Sequence, residues 1–145
     1  MTCPSPRSAR RSRGVTLMEL MVTLALVSVL VMILVPTYTS HVQKSRRADA
    51  KNALLDLAAR EERFNATNNT YVASGTSLGY TSAFPLTIMS SGVGSYTLTV
   101  TQGVTTFSAT ATAIGPQASD PCGNFTLNDQ GTQTSSGSQT APPCW

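Results

Sequence analysis

The chain predicts an α+β fold in which one long N-terminal helix, apolar in its first half and amphipathic in its second, packs on a small antiparallel β-sheet. Three observations predict it. Val15 to Val35 is an apolar run of 21 residues in which Glu19 is the only charge. Ser45 to Phe64 follows with no Gly or Pro and with Ala50, Leu54, Leu57 and Phe64 at helical spacing. From Ser74 onward the texture changes to Gly, Ser and Thr with short alternating runs, the pattern of half-buried strands.

As a helix the first run is about 31 Å long, close to the roughly 30 Å hydrocarbon thickness of a bilayer, so it can span a membrane once. Arg7, Arg10, Arg11 and Arg13 precede it with no acid among them. By the positive-inside tendency they hold the N-terminus in the cytoplasm and send the rest outward. Topology-setting charge is a better reading of these arginines than a twin-arginine signal, because Arg10-Arg11 leads into Ser-Arg-Gly rather than an apolar run. A secretory signal would carry small residues after the apolar run, but the run ends Leu34-Val35-Pro36-Thr37-Tyr38. The small residue lies at the other end, at Gly14. A cut after Gly14 would keep the helix and start it with a free amine on Val15. Glu19 is then the fifth residue, where an unpaired carboxylate is costly: a charge at a helix centre costs roughly 2.5 to 3.5 kcal/mol on insertion scales, less near the membrane face. The new amine, of the same chain or of another copy, is its natural partner.

These residues carry a resemblance. Gly14, a hydrophobic residue at 15, Thr16-Leu17, Glu19, the apolar run and Pro36 resemble the class III signal of type IV pilins, a signal shared with type II secretion pseudopilins. The resemblance implies cleavage after Gly14 and methylation of Val15 by a prepilin peptidase. It also implies storage of the subunit in the inner membrane with its domain in the periplasm. An assembly platform would then extract it into an extracellular pilus, and Glu19, with Thr16 beside it, would set the register between subunits.

The formal charge of +3 on 145 residues suggests a basic protein. Removing residues 1–14 leaves six cations against seven acids, a net of −1. On that balance nucleic acid is not expected as a direct ligand. Cys3 leaves with the leader, so three cysteines become two, Cys122 and Cys144. An even count in an exported domain favours a disulfide, and the pair lacks the ligand spacing of a metal site. A bridge would close a loop of about 22 residues and contribute about 3 kcal/mol by the loop-entropy model.

Pro36 cannot donate to the helical ladder, so it ends or kinks the helix there. The sequence beyond stays helix-friendly, and the helix is expected to continue for about 50 residues in all. Lys51, Asp56, Arg60 and Arg63 lie opposite the apolar stripe, with Asp56 and Arg60 in the favourable acid-first i,i+4 order. His41, Lys44, Arg46 and Arg47 form a basic cluster beyond the span. It could hold phospholipid headgroups or DNA, but a solvated helix face is the better reading. Asn65 to Asn69 should end the helix.

Beyond the loop, Tyr96, Leu98 and Val100 share one strand face, as do Phe107, Ala109, Ala111 and Ala113 after a break at Gly103, so the two runs read as a hairpin. Phe125 and Leu127 make a further strand and Asn128 to Gly131 a turn. Three or four strands are expected. The order long helix, loop, antiparallel strands and two late cysteines resembles a type IV pilin fold, whose cysteines close a D-region, here 122–144. Arg60-Glu-Glu-Arg-Phe64, Asn68-Asn-Thr-Tyr71 and the final Cys144-Trp145 are most similar to the PilE-like minor pilins of Gram-negative bacteria.

The expected organisation is therefore a leader over 1–14, a membrane and polymerisation helix over 15–36, an amphipathic half over 37–66 and a β-rich region over 67–145. One His, no acid pair in a recognisable motif and no Gly-rich phosphate loop argue against an enzyme, and no cofactor is expected. The reading is a structural subunit of a type IV pilus used in motility, adhesion or DNA uptake. Its partners are other pilin subunits, the prepilin peptidase, the assembly platform and, before assembly, membrane lipid. The alternatives are a type II secretion pseudopilin and a single-span anchored binding module.

Overall fold

A computed structural model describes residues 14–138 and 143–145, which fall into two compact units divided between Thr39 and Ser40. The basic leader, apart from Gly14, lies outside the described residues. Helix α1, Leu17–Asn68, is continuous across the division and ends within the Asn-rich stretch expected to stop it.

In the first unit every described side chain is exposed, with Leu17 at 76% and Met32 at 80%, as befits a surface made for lipid or for other helices. Its polar side chains are satisfied locally. Thr23, Ser28 and Thr37 donate to the carbonyls of Leu20, Ala25 and Ile33 at 2.8 to 3.1 Å. No hydroxyl of these three needs a partner in hydrocarbon, where an unmet donor costs several kcal/mol. The helical backbone runs on through Pro36, whose missing N–H leaves the Met32 carbonyl without its donor.

The second unit is built on the amphipathic half. Ala50, Leu54 and Leu57 are wholly buried and join a core of Tyr71, Tyr96, Leu98, Phe107, Ala109, Ala111, Phe125 and Leu127. The sheet facing the helix is a five-stranded antiparallel meander: β1 Leu86–Ser90, β2 Val93–Gln102, β3 Phe107–Ala113, β4 Phe125–Asn128 and β5 Gln133–Ser135. The alternation along β3 and β4 follows the sequence, with Phe107, Ala109, Ala111, Phe125 and Leu127 buried. Two strands exceed expectation. β1 is pinned by a two-residue turn in which Ser91 and Gly92 both take positive φ, 51° and 79°, the geometry that matches strand twist in a tight hairpin. β5 is polar and joins through backbone pairing to β4.

The disulfide Cys122–Cys144 closes the segment containing β4 and β5, with a Cα–Cα distance of 5.6 Å. A 3-10 turn, Gly115–Gln117, leads from β3 into it.

Candidate functional site

At the start of the helix, Thr16 Oγ1 accepts the Glu19 backbone N–H at 3.2 Å. Thr16 is thus the N-cap and Glu19 the third helical residue, which is one half of a capping box. The signal is legible in Thr16-Leu-Met-Glu19, and the charge-based reading of Glu19 passed over it. Gly14 and Val15 are exposed, and neither of the ion pairs described involves Glu19. In the uncleaved chain the Val15 nitrogen is an amide, so a Glu19–amine pair belongs to the cleaved product alone.

The entrance to the disulfide loop is held by a buried ion pair. Arg47 Nε and Nη2 each donate to Asp120 at 2.7 Å, with the Asp120 side chain wholly buried and that of Arg47 at 11% exposure. Asp120 Oδ1 also accepts the Cys122 N–H at 2.8 Å, and Oδ2 accepts the side-chain amide of buried Gln117. The Gln117 amide also reaches the Gln43 carbonyl, at 3.4 Å. The planar guanidinium suits this two-point contact. Arg47 is therefore a clamp between helix and loop, a correction to its reading as part of a solvated basic face. His41 and Lys44 are exposed, as that reading expects. Tyr96 packs into the same region, and burial pushes its hydroxyl up to about 12.

Beside the clamp lies a cleft of about 350 Å³ lined by Lys44, Arg47, Ala48, Lys51, Pro143 and Cys144. Lys51 Nζ sits 5.7 Å from the Phe125 ring centroid and 5.6 Å from that of Trp145, so two aromatic rings hold its ammonium in place. Trp145 is itself fixed, edge-on to Phe125 at 5.5 Å and donating Nε1–H to the Thr134 carbonyl at 2.6 Å. Partial burial, then the neighbouring Arg47 charge, lowers the Lys51 pKa.

Farther along α1, a second cluster fastens the loop that leaves the helix. Arg60 donates to Asp56 at 2.8 Å and to the Leu78 carbonyl at 3.0 Å, and lies 4.5 Å over the Tyr80 ring. Tyr80 donates to Asp56 at 2.9 Å. Burial raises the Asp56 carboxyl, but the hydrogen bonds from Arg60 and Tyr80 outweigh it and the net shift is downward. Glu61 continues the stripe of Ala50, Leu54 and Leu57 and is wholly buried, accepting the Val72 N–H at 3.1 Å through Oε2 while Oε1 has no partner among the described residues. Burial is the main cause of its raised pKa, the Val72 hydrogen bond lowering it and the Glu62 charge raising it further. Glu62 accepts the Tyr71 hydroxyl at 2.9 Å, so the two adjacent acids serve different partners.

Comparison with known proteins gives two adjoining matches. The family model "Prokaryotic N-terminal methylation motif" matches residues 9–35. Residues 36–126, more than half of the chain, match the family model "Type IV minor pilin ComP, DNA uptake sequence receptor". Among solved structures, a type IV pilin from Shewanella oneidensis is 29% identical, with 71% of this chain and 97% of that one covered and a TM-score of 0.48. No curated protein matches. A match over most of the domain, joined without a gap to the methylation motif, shows that the chain belongs to the type IV minor pilins of the ComP family.

Proposed function

We propose that this chain is a minor subunit of a type IV pilus that serves DNA uptake. The single observation that carries the reading is the pair of adjoining family matches, the methylation motif up to residue 35 and the minor-pilin domain from 36. That domain match favours a pilin over a pseudopilin. Prepilin peptidase cuts after Gly14 and methylates Val15. The apolar half of α1 lodges in the inner membrane until the assembly platform draws the subunit into the filament, where the same surface meets other pilins. The Glu19 carboxylate pairs with the Val15 amine of a neighbour and sets the axial register, the best-attested use of a buried ion pair. The missing N–H at Pro36 makes that point of the helix the place where it bends or melts on assembly.

The family description bears against the expectation, drawn from net charge, that nucleic acid is not a direct ligand. The distribution of charge supplies a reason why the net value misleads. Residues 64–145 contain no Lys, Arg or His, and all six cations of the processed chain lie on α1 between Lys44 and Arg63. A net of −1 is therefore compatible with a local positive surface.

Mass spectrometry of sheared filaments should find the chain at low abundance with N-methylated Val15 as its first residue. A strain lacking it should still make pili and lose DNA uptake. Normal uptake by that strain would overturn the DNA role, and an uncut chain confined to the membrane would overturn the pilin reading.

A further inference from the structure

Where this chain touches the phosphate backbone is constrained by elimination. A protein holds DNA phosphates chiefly through cations, and none exists beyond Arg63. On the helix, Arg47 is neutralised by Asp120 and Arg60 by Asp56. Lys44 and Lys51 have no carboxylate within ion-pair distance among the described residues. Residues 139–142, Gln-Thr-Ala-Pro, carry no charge that could supply one. Arg46 and Arg63 also lie outside both ion pairs, with Arg63 in a separate cleft beside Arg60 and Phe64, and among the described residues Lys44 and Lys51 are the two unpaired cations that share one cleft.

Resting on the DNA-uptake reading, we propose that the cleft between Lys44, Lys51 and the Pro143–Cys144 end of the disulfide loop is the phosphodiester contact of this subunit. The site is concave, and its two ammonium groups come from one helix seven residues apart, about 10 Å along its axis at 1.5 Å per residue. That separation leaves the two long side chains free to reach different phosphates of one strand. The Phe125 and Trp145 rings hold Lys51 ready, so little side-chain freedom is lost on binding. Arg47, bound on both nitrogens to Asp120, adds shape and leaves the charge to the lysines. The contact reads no bases; it positions the duplex and makes the affinity depend on salt.

The test uses the full processed chain in neutral-detergent micelles and a short labelled duplex of arbitrary sequence, with binding measured over a salt series. Two phosphate contacts give a slope of log K against log salt of about −1.8. Lys44→Gln and Lys51→Gln should each bring it to about −0.9, the double variant should abolish salt-dependent binding, and Lys51→Arg alone should keep the parent slope of about −1.8. Arg63→Gln should leave the slope unchanged. Lys44 is exposed, so its substitution tests the site without threatening the fold. Duplex binding by the double variant with the original slope would overturn the site and leave the DNA-uptake reading standing. Binding to anionic-lipid vesicles through the same lysines, with no binding to duplex, would overturn it in favour of a membrane headgroup. Failure of the DNA-uptake reading itself would show separately, as normal uptake by the deletion strain.

Discussion

Arg47 and Asp120, 73 residues apart, meet in a two-point ion pair whose acid is wholly buried, and that acid also holds the backbone of Cys122. Helix and disulfide loop are thereby joined at the loop's first cysteine. Replacing Arg47 by Leu would leave a buried carboxylate without its counter-ion, which costs about 3 to 5 kcal/mol. Arg47→Lys should recover only part, because an ammonium cannot reproduce the fork. Pairing Arg47→Leu with Asp120→Asn, which removes the lone charge and keeps an acceptor for the Cys122 N–H, should be milder than Arg47→Leu alone. Chemical denaturation of the full chain in detergent measures all three, and a double variant as unstable as the sum of the singles would refute the clamp.

Glu61 predicts an unusual pH response. Its folded pKa is raised above the ordinary 4.5, so between that value and the folded one the folded chain holds a proton that the unfolded chain has lost. Stability from this group therefore falls as pH rises through the window. Asp56 acts with the opposite sign: its depressed pKa gives stability that is present above the ordinary 3.8 and lost as pH falls through the folded value. Glu61→Gln keeps an acceptor for the Val72 N–H and carries no charge. It should be at least as stable as the parent at neutral pH and should flatten the decline between mildly acidic and neutral pH. Thermal melts across that range decide it, and an unchanged slope would refute the assignment.

What the sequence made legible follows from which forces are local. Ala50, Leu54 and Leu57 announce a buried face by spacing, and Tyr96 to Val100 with Phe107 to Ala113 announce a hairpin by alternation; both appear as expected. Continued by one more step, the same stripe reaches Glu61, so its burial was readable, although the acid invited the opposite reading. β5 was not readable, because Gln133-Thr134-Ser135 has no apolar alternation and its place comes from backbone bonds to β4. β1 offers only Leu86 and Ile88, and its register depends on the Ser91-Gly92 turn. The Arg47–Asp120 clamp is a tertiary event, and no local pattern links residues so distant in the chain. Cation placement was open to view in the sequence, and the net charge obscured it.

The two roles available to residues 16 to 19 separate by substitution. Thr16→Ala removes the side-chain acceptor of the Glu19 N–H and should cost about 1 kcal/mol of helix stability. Glu19→Ala leaves that backbone donor and its cap in place and removes the charge alone. If Glu19 sets the register between subunits, Glu19→Ala should be cleaved after Gly14 normally and fail to enter filaments, while Thr16→Ala should assemble with reduced yield. Mass spectrometry of membrane and sheared-filament fractions distinguishes them. Normal incorporation of Glu19→Ala would end the registry idea and leave the Thr16 cap as the role of this stretch.

The disulfide loop is secured at both ends by different means, and the two should respond to different reagents. Cys122 is tied covalently to Cys144 and, through its N–H, to Asp120. β4 lies inside the loop but buries Phe125 and Leu127 in the core, so opening the bridge does not free it. Cys144→Ser should therefore retain the β-sheet signal in circular dichroism while losing about 3 kcal/mol of stability by the loop-entropy model. Asp120→Asn should leave the bridge formed and weaken the near end only, because an amide oxygen can still accept from Arg47 and Cys122 without the charge. Since both changes act on one segment, their combined cost should differ from the sum. A double-mutant cycle read by denaturation gives the coupling, and strict additivity would mean that the clamp and the bridge stabilise separate parts of the fold.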